Sequence, residues 1–371
     1  MEKGRDRGTK GKRDIRTDFP SWAVKITDMT KVICKWAALL LLLPAVVIPC
    51  FAQPAPAYKY FRVGNAVDVQ VKPQAGYALM GGGEDLDEAF QWLCGKANGG
   101  DLLVLRATGT DAYNDYIQKL CHLNSVATVV IPNREAASDP FVEKKIRSAS
   151  AIFISGGDQA NYLNFWERTP VQAALNDAIA RGVPLGGTSA GLAVLGEYAY
   201  TAQGDKPKDP DLDSKMALHD PYSQRVTLAR GFLDIPVLKG VITDTHFAKR
   251  DRMGRLLVFL ARLDEPDGKA VPPRATALRG VGVEQGVSVL LEPDGRATVV
   301  GKGCAYFIGL PAESEGLIRR NTPLTFGPYA VQKVASGHGF NMKSWTGDAT
   351  RYSLAVKDGV VSSTQAGGAI Y

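Results

Sequence analysis

Short β-rich runs alternate with helical stretches from about Gly76 onward, and this alternation leaves few architectures open to the chain. The predicted strands are residues 77–80, 102–105, 125–131, 151–154, 184–186 and 241–245. Helices are predicted at residues 86–94, 113–121, 142–148, 170–180, 192–200 and 252–263. Parallel strands need crossover helices of this kind, which cover both faces of the sheet. The pattern predicts an α/β fold with a mostly parallel sheet, whose ligands bind at the carboxyl ends of the strands.

The character of the sequence changes after Glu265-Pro266-Asp267-Gly268. Residues 281–292, 297–308 and 326–371 are rich in strand-forming residues and contain turn signals such as Pro293-Asp294-Gly295. We expect β hairpins packed on the sheet or a small β appendage. The predicted division of the chain is a leader over 1–52, an N-terminal linker over 53–75, the main α/β domain over 76–310 and a β-rich extension over 311–371.

Residues 36–52 form one long apolar run that follows two lysines and is interrupted by two prolines. The run ends in Cys50-Phe51-Ala52, which offers small residues for cleavage before Gln53, as in a signal peptide. Residues 29–52 alone contain every part of such a signal, so either Met1 or Met29 is the start. We expect a secreted or periplasmic protein. An uncleaved N-terminal anchor and a lipoprotein attached at Cys50 are the alternatives.

The net charge of +6 is concentrated in the leader. Residues 1–52 hold ten Lys and Arg against five Asp and Glu, which leaves 34 basic and 33 acidic residues in the remainder. The body is therefore nearly neutral and lacks the basic stripe that a nucleic-acid partner requires. With 45% hydrophobic residues, the chain has enough apolar side chains to build a core.

Cleavage of the leader leaves three cysteines, Cys94, Cys121 and Cys304. Exported proteins form disulfides, and Cys94 and Cys121 both close predicted helices that flank one strand. A Cys94–Cys121 disulfide and three buried thiols are the two alternatives. The sequence contains neither a CxxC motif nor a Cys/His cluster, so we expect no metal site and no cofactor.

The sharpest local signal is Gly187-Thr188-Ser189-Ala190-Gly191, between a short apolar strand and a helical run. A nucleophile elbow needs glycines on both sides of the serine because the tight, strained turn lifts the hydroxyl out of the backbone. The amide of Ala190 would then donate to a developing oxyanion. Because the pentapeptide also arises by chance, Ser189 as a simple helix N-cap is the alternative.

A serine nucleophile needs a base, and the chain has four histidines. His246 ends the strand 241–245, which puts Ser and then His on loops at the same edge of the sheet. The other three, His122, His219 and His338, lie in turns or polar loops and are expected on the surface. The alternative for His246 is a core histidine bonded to a backbone carbonyl.

Two further features lie at the same predicted edge. Ser155-Gly156-Gly157-Asp158-Gln159 follows strand 151–154 and can supply the amide of Gly157 to an oxyanion and the side chain of Gln159 to a substrate. Four cations follow His246 closely: Lys249, Arg250, Arg252 and Arg255. Positive charge is unfavourable at the start of a helix, so an anionic substrate would explain them. A solvated charged face is the alternative.

Three motifs in this order resemble the cyanophycinase family of serine peptidases, to which the aspartyl dipeptidase called peptidase E is related. They are residues 154–159, residues 186–191, and Asp244-Thr245-His246-Phe247 with Arg250-x-Arg252-x-x-Arg255. The resemblance runs from about Tyr77 to Ile308. It implies a glutamine-amidotransferase-like, flavodoxin-like α/β fold and a Ser/His/acid hydrolase that cuts peptide bonds at aspartate, typically the β-linked Asp-Arg units of cyanophycin.

The resemblance also implies roles by position. Ser189 becomes the nucleophile and His246 the base, and the matched substrate contacts are Gln159, Asp244, Arg250, Arg252 and Arg255. The family's third catalytic member is an acid expected somewhat ahead of the His strand. Asp220 is the nearest carboxylate and is the predicted acid, although an insertion over 203–220 obscures the match.

One further departure and two alternatives accompany this prediction. Thr245 stands where the family commonly has Gln, which removes one amide from the expected site. A secreted esterase would share the serine turn, but it would not require the arginines. A binding protein that keeps the fold and has lost the acid is the non-enzyme alternative. The natural substrate, a homodimer and the role of residues 309–371 are left open by the sequence.

Overall fold

The computed structural model describes residues 56–206, 209–265 and 277–371. The predicted leader over 1–52, with its signal peptide at 29–52, lies outside the described residues. Within the described ranges, no helix is long and apolar enough to cross a membrane.

The strands in chain order are β1 (Lys59–Gly64), β2 (Tyr77–Met80), β3 (Asp101–Arg106), β4 (Ser125–Val130), β5 (Ala151–Ile154), β6 (Leu185–Thr188), β7 (Tyr198–Tyr200), β8 (Leu228–Arg230), β9 (Val241–Asp244), β10 (Arg279–Val283), β11 (Val287–Leu291), β12 (Arg296–Gly301), β13 (Cys304–Gly309), β14 (Glu315–Leu317), β15 (Thr325–Ala335), β16 (Gly339–Asn341), β17 (Thr346–Gly347), β18 (Thr350–Lys357) and β19 (Val360–Ser363). The α-helices are α1 (Asp87–Lys96), α2 (Asn114–Leu120), α3 (Pro140–Ser148), α4 (Gln159–Trp166), α5 (Pro170–Ala180), α6 (Ala190–Ala193), α7 (Ser214–His219) and α8 (Met253–Asp264).

The first sheet has the strand order β1-β4-β3-β5-β6-β2-β11-β12-β16-β17. Its centre, β4-β3-β5-β6-β2, is parallel throughout, whereas β1 and β11 join antiparallel at either side. The central strands β2 and β5 are buried along their whole length, as expected where helices cover both faces. The predicted α/β fold with a parallel sheet is confirmed in this half of the molecule.

Helices cover the first sheet on both faces. Phe90 and Leu93 of α1 and Ile117 of α2 pack with Phe153 on one face. The apolar sides of α3, α4 and α5 belong to the core on the other face. A disulfide joins Cys94 of α1 to Cys121 directly after α2, and Cys304 is a free thiol. The disulfide therefore ties together the two helices that cover one face.

The second sheet has the order β19-β18-β15-β13-β10-β9-β7-β8, and β14 pairs with β15. Strand β9 is parallel to β10 and β7, and it therefore lies outside the sheet to which the sequence pattern assigned residues 241–245. The reason is that α8, which follows β9, packs closely on β10. A Cβ on Gly280 of β10 would lie 3.2 Å from the Leu256 side chain of α8. The close packing of α8 on β10 brings that strand beside β9.

Two sequence predictions differ from the structure. The predicted linker over 53–75 contains β1, which pairs along its whole length with β4 because its half-buried side chains extend the sheet edge. The predicted helix over 192–200 is instead the short α6 followed by β7. Gly196 explains the break, since a Cβ there would lie 2.6 Å from the Val241 carbonyl oxygen. The chain passes too close to β9 at this point for a helix.

Residues 311–371, predicted as a β-rich extension, contain strands β14 to β19. Strand β15 pairs with β13 from Cys304↔Ala335 to Gly309↔Ala330. The hydrogen bonding of the second sheet is therefore continuous across residue 310, and the extension completes that sheet.

Candidate active site

Ser189 lies in a strained turn between β6 and α6, with φ of 52° and ψ of −118°. A Cβ on Gly187 would lie 2.6 Å from the carbonyl carbon of Gly191, and one on Gly191 would lie 2.0 Å from the oxygen of Ile154. Only glycine fits at either place. The two glycines let the backbone segments around the serine approach closely, and the half-buried Ser189 lies at the turn as a nucleophile elbow requires.

His246 lies within hydrogen-bonding distance of the serine: Ser189 Oγ is 2.7 Å from His246 Nε2. Its backbone N–H donates to Gly81 O at 2.8 Å, and a Cβ on Gly82 would lie 2.4 Å from the imidazole Cε1. The ring therefore packs on a glycine turn that follows β2. Ser189 follows β6 of the first sheet and His246 follows β9 of the second, so strand ends from both sheets meet at this point.

The other ring nitrogen of His246 faces an amide, because Gln285 Nε2 lies 2.7 Å from His246 Nδ1. Of the described residues, no carboxylate forms a hydrogen bond with this imidazole. Sequence reasoning missed Gln285. The signal was its place directly after the parallel pair β9 and β10, whose carboxyl ends share one edge of the sheet.

The prediction that Asp220 is the third catalytic member is wrong. The Asp220 carboxylate accepts the backbone N–H groups of Tyr222 and Asn321, each at 3.0 Å. Asp220 follows the last residue of α7, and its own carbonyl accepts from Ser223 N at 2.9 Å. At the end of this short helix, the Asp220 carboxylate points toward a loop and accepts its backbone N–H groups. Asp220 does not line the pocket around Ser189.

The imidazole of His246 is neutral over a wide pH range. Burial lowers its pKa from 6.5 to about 4, and the cations Arg250 and Arg252 act in the same direction. Asp211 and Asp244 oppose this shift. Only 5% of His246 is exposed, which accounts for the dominance of desolvation. A neutral imidazole is the form that can accept a proton from the serine.

The two predicted oxyanion donors lie beside the nucleophile. Ala190 is the first residue of α6, where backbone N–H groups have no acceptor within the helix. A Cβ on Gly156 would lie 3.5 Å from the Ser189 Cβ, so the glycine turn after β5 is in contact with the serine turn. Gly157 and Ala190 both line the same pocket as Ser189.

That pocket has a volume of about 560 Å³ and carries both signs of charge. Its basic residues are Lys206, Arg250, Arg252 and Arg255, and its acidic residues are Asp158, Asp205, Asp209 and Asp211. Gln159, the first residue of α4, lines it as predicted. In the part of the chain that the structure describes, no group of three or more His, Cys, Asp or Glu side chains could hold a metal ion.

Two of the predicted arginines share one carboxylate. Arg250 Nη1 donates to Asp211 Oδ2 at 2.7 Å, and Arg252 Nη2 donates to the same oxygen at 3.0 Å. Arg252 Nη1 also donates to Thr245 O and Oγ1, each at 3.0 Å. Its Nε is buried without a hydrogen-bond partner among the described residues, and burial lowers the pKa of Arg252 to about 10.

The third arginine is engaged in a buried ion pair. Arg255 Nε donates to Asp244 Oδ2 at 2.8 Å, and both side chains are 3% exposed. Asp244, a predicted substrate contact, does not line the pocket. An unpaired buried carboxylate is costly, and Arg255 from α8 neutralises it. Arg255 reaches the pocket wall while its charge is held by Asp244.

The remaining histidines and Lys249 take no part in the site. His122, His219 and His338 are exposed, as expected. Lys249 is also exposed and does not line the pocket. The cationic cluster of the sequence therefore divides into one solvated residue, one structural residue and the two arginines that share Asp211.

A strained serine, a neutral imidazole and backbone donors at the strand ends of an α/β fold together define the geometry of a serine hydrolase. Residues 77–219 match Peptidase family S51. The match covers two of the three motifs, residues 154–159 and 186–191, and agrees with the resemblance that they carry.

Two relatives share the similarity over a longer stretch. The chain is 29% identical over 216 residues to a cyanophycinase of Nostoc sp. (strain PCC 7120 / SAG 25.82 / UTEX 2576), covering 57% of this chain and 63% of the relative. It is 25% identical over 279 residues to a cyanophycinase of Synechococcus elongatus, covering 71% and 78%. The chain thus spans less than two thirds of the length of the Nostoc relative.

Among solved structures, a peptidase from an acI-B1 Actinobacterium is similar with a TM-score of 0.46 and 16% sequence identity. The similarity covers 73% of this chain and 98% of that one.

Proposed function

We propose that this chain is a serine-type peptidase that hydrolyses aspartyl peptide bonds, with the β-linked Asp-Arg units of cyanophycin as its substrate class. The observation that carries the proposal is the 2.7 Å contact between Ser189 Oγ and His246 Nε2 in a pocket lined by arginines. The similarity to proteins described as cyanophycinases supports the substrate class.

The reaction proceeds through an acyl-enzyme. His246 Nε2 takes the proton of Ser189 Oγ as the oxygen attacks the scissile carbonyl carbon. The N–H groups of Ala190 and Gly157 stabilise the oxyanion, and the imidazolium gives its proton to the leaving amine. Water activated by the same imidazole then cleaves the acyl ester and restores the serine.

The charges of the pocket support an aspartyl-arginyl substrate. Such a unit carries a free carboxylate and a guanidinium, and the pocket offers cations and carboxylates together. The buried Nε of Arg252 lacks an acceptor, and a substrate carboxylate would supply one. An uncharged ester would not gain this charge-assisted hydrogen bond, which contributes about 1.5–3 kcal/mol, and this disfavours the esterase alternative.

Export from the cytoplasm is part of the proposal. The disulfide between Cys94 and Cys121 supports it, because disulfides persist mainly in oxidising compartments. The predicted signal at residues 29–52 provides the route.

A binding protein of the same fold is the second candidate, and one observation favours it. His246 Nδ1 faces the amide of Gln285 and no carboxylate. A catalytic imidazole is usually oriented and stabilised by an acid, so a chain without one could bind substrate and not turn it over.

One experiment separates these functions. The purified chain and a Ser189→Ala variant are incubated with cyanophycin, with a β-Asp-Arg dipeptide, with α-Asp-X dipeptides and with an aryl acetate, and the products are identified by mass. We expect cleavage of the β-aspartyl substrates by the parent chain and none by the variant. Cleavage of the aryl acetate alone would identify an esterase, and retained binding without any cleavage would identify a binding protein.

A further inference from the structure

Gln285 occupies the position behind the catalytic imidazole. Its side-chain amide lies 2.7 Å from His246 Nδ1, and Ser189 Oγ lies 2.7 Å from Nε2 on the opposite side of the ring. Hydroxyl, imidazole and amide therefore form one chain of three groups. The backbone that carries Gln285 packs against the glycine turn after β2, because Gly286 N donates to Gly82 O at 2.9 Å and a Cβ on Gly83 would lie 3.0 Å from the Gln285 Cβ.

Which end of the amide faces the ring decides whether His246 can act as a base. If the NH₂ group faces Nδ1, that nitrogen must accept, so the ring proton lies on Nε2 and the serine cannot transfer its proton there. If the carbonyl oxygen faces Nδ1, the proton lies on Nδ1 and the lone pair of Nε2 is free for Ser189. The oxygen and nitrogen of an amide have nearly the same shape, so a half-turn of the terminal group exchanges the two arrangements.

The surroundings of Gln285 permit this half-turn. The far side of its side chain lines a second pocket of about 800 Å³, which also contains Glu84, Asp85, Glu88 and Lys302. An open, polar pocket supplies donors and acceptors, or water, to whichever end of the amide points outward. The orientation is therefore set at the ring: when the Ser189 hydroxyl donates to Nε2, the ring proton lies on Nδ1 and favours the carbonyl oxygen.

We propose that Gln285 is the positioning residue of this site, and that its side-chain carbonyl accepts the Nδ1 proton of His246 where a carboxylate would otherwise stand. The inference rests on the proposed function where it concerns peptide hydrolysis. Its direct subject is the reactivity of Ser189. The amide fixes the tautomer and the ring orientation without adding negative charge.

The lack of a charge has a kinetic consequence. Imidazolium forms as the serine gives up its proton, and the charged groups that act on it are Arg250, Arg252, Asp211 and Asp244. None of these is hydrogen-bonded to Nδ1, so no carboxylate stabilises the new positive charge directly. In serine proteases, replacing the triad acid by its amide lowers kcat about 10⁴-fold, chiefly because the amide favours the wrong tautomer of the histidine. A correctly oriented amide should therefore give a rate between that of the acid and that of the wrongly oriented amide. Gln285→Glu should therefore increase the reactivity of Ser189.

The test measures the second-order rate of fluorophosphonate labelling of Ser189 as a function of pH. The variants are Gln285→Glu and Gln285→Met, with Ser189→Ala as background. Gln172→Met serves as a matched control, because that amide bonds the Phe232 carbonyl away from the site. Circular dichroism and thermal melting establish that each variant is folded.

We expect Gln285→Glu to label about tenfold or more faster than the parent and Gln285→Met about tenfold or more slower, with Gln172→Met unchanged. The inflection of the pH profile should move to higher pH in Gln285→Glu, since a carboxylate at Nδ1 favours the imidazolium. A merely structural role for Gln285 would not move this inflection.

The positioning role is overturned if folded Gln285→Met labels at the parent rate, or if folded Gln285→Glu is no faster and keeps the parent's inflection. Labelling does not need the natural substrate. If the parent and Gln285→Glu label as expected but cleave no aspartyl peptide, the substrate proposal fails and the role of Gln285 stands.

Discussion

Asp244 and Arg255 form an ion pair across the base of the loop that carries His246. Arg255 Nε donates to Asp244 Oδ2 at 2.8 Å, and the guanidinium also lies 5.0 Å from the ring centre of Tyr200. Asp244 ends β9 and Arg255 lies in the first turn of α8, so the pair closes the loop between them. His246, Arg250 and Arg252 all project from this closed loop. The positions of His246, Arg250 and Arg252 therefore depend on this buried contact.

Breaking this pair should destabilise the fold strongly. Arg255→Met leaves the buried Asp244 carboxylate with Arg252 Nη1 at 3.8 Å as its remaining cation, and breaking a buried pair in this way costs about 3–5 kcal/mol of unfolding free energy. Urea unfolding followed by fluorescence measures the loss. Arg181→Met is the matched control, because Arg181 and its partner Asp177 are 44% and 41% exposed, and such pairs contribute less than about 1 kcal/mol. Equal losses in the two variants would contradict the structural role of the pair.

The backbone strain at Ser189 leads to a second prediction. Ser189→Gly and Ser189→Ala should both abolish turnover, but they should differ in stability. Glycine adopts the φ of 52° without the clash that a Cβ suffers there, so Ser189→Gly should be more stable than Ser189→Ala by about 1 kcal/mol after the larger chain entropy of glycine is included. Thermal melting of the two variants is the measurement. An Ala variant more stable than the Gly variant would show that the turn is unstrained.

The sequence allowed Ser189 and His246 to be predicted as partners, 2.7 Å apart in the structure, because each is determined by a local pattern. Gly187 and Gly191 flank Ser189 for reasons of backbone contact, and His246 ends a run of apolar residues. The five parallel strands of the first sheet could be predicted equally well, since each is a short apolar segment between helices. Local patterns of this kind carry their own structural context.

Contacts between residues far apart in the sequence could not be predicted in the same way. Asp220 was the nearest carboxylate along the chain, but the end of α7 directs it into a loop. Gln285 lies 39 residues after His246 and becomes its neighbour only because β10 pairs with β9. The pairing of Asp244 with Arg255 likewise depends on how α8 packs. A single sequence contains no pattern that states which strands are neighbours. The third group of the site, Gln285, is placed by such a pairing of strands.

The low pKa of His246 predicts activity that extends to acidic pH. The neutral imidazole is the active form, so kcat/KM should be at its plateau well above the pKa and fall as pH decreases through about 4, below the ordinary histidine value of 6.5. Arg250→Gln should move the inflection to higher pH because it removes a cation that disfavours imidazolium. Lys249→Gln, which changes an exposed neighbour outside the pocket, should leave the inflection in place. The pH dependence of kcat/KM for the three proteins is the measurement, and an inflection near 6.5 in the parent would contradict the prediction.

Arg252 should act on substrate affinity. Its buried Nε offers a hydrogen bond to a substrate carboxylate, and a charge-assisted bond of this kind contributes about 1.5–3 kcal/mol, so Arg252→Met should raise KM for β-aspartyl peptides roughly tenfold or more. The rate of fluorophosphonate labelling should change much less, because the probe carries no carboxylate. A loss of labelling equal to the loss of peptide cleavage would show that Arg252 supports the loop rather than the substrate.

The disulfide should stabilise the face of the first sheet that α1 and α2 cover. Cys94 and Cys121 are separated by 27 residues, and closing a loop of that length removes enough entropy from the unfolded chain to stabilise the fold by about 3.5 kcal/mol. The double variant Cys94→Ser with Cys121→Ser should lose that amount in urea unfolding, and the parent should lose it in reducing agent. Cys304→Ser is the control, since this free thiol closes no loop: the variant keeps the disulfide and should match the parent both with and without reductant. Should the parent unfold at the same urea concentration with and without reductant, the two cysteines are not joined in solution.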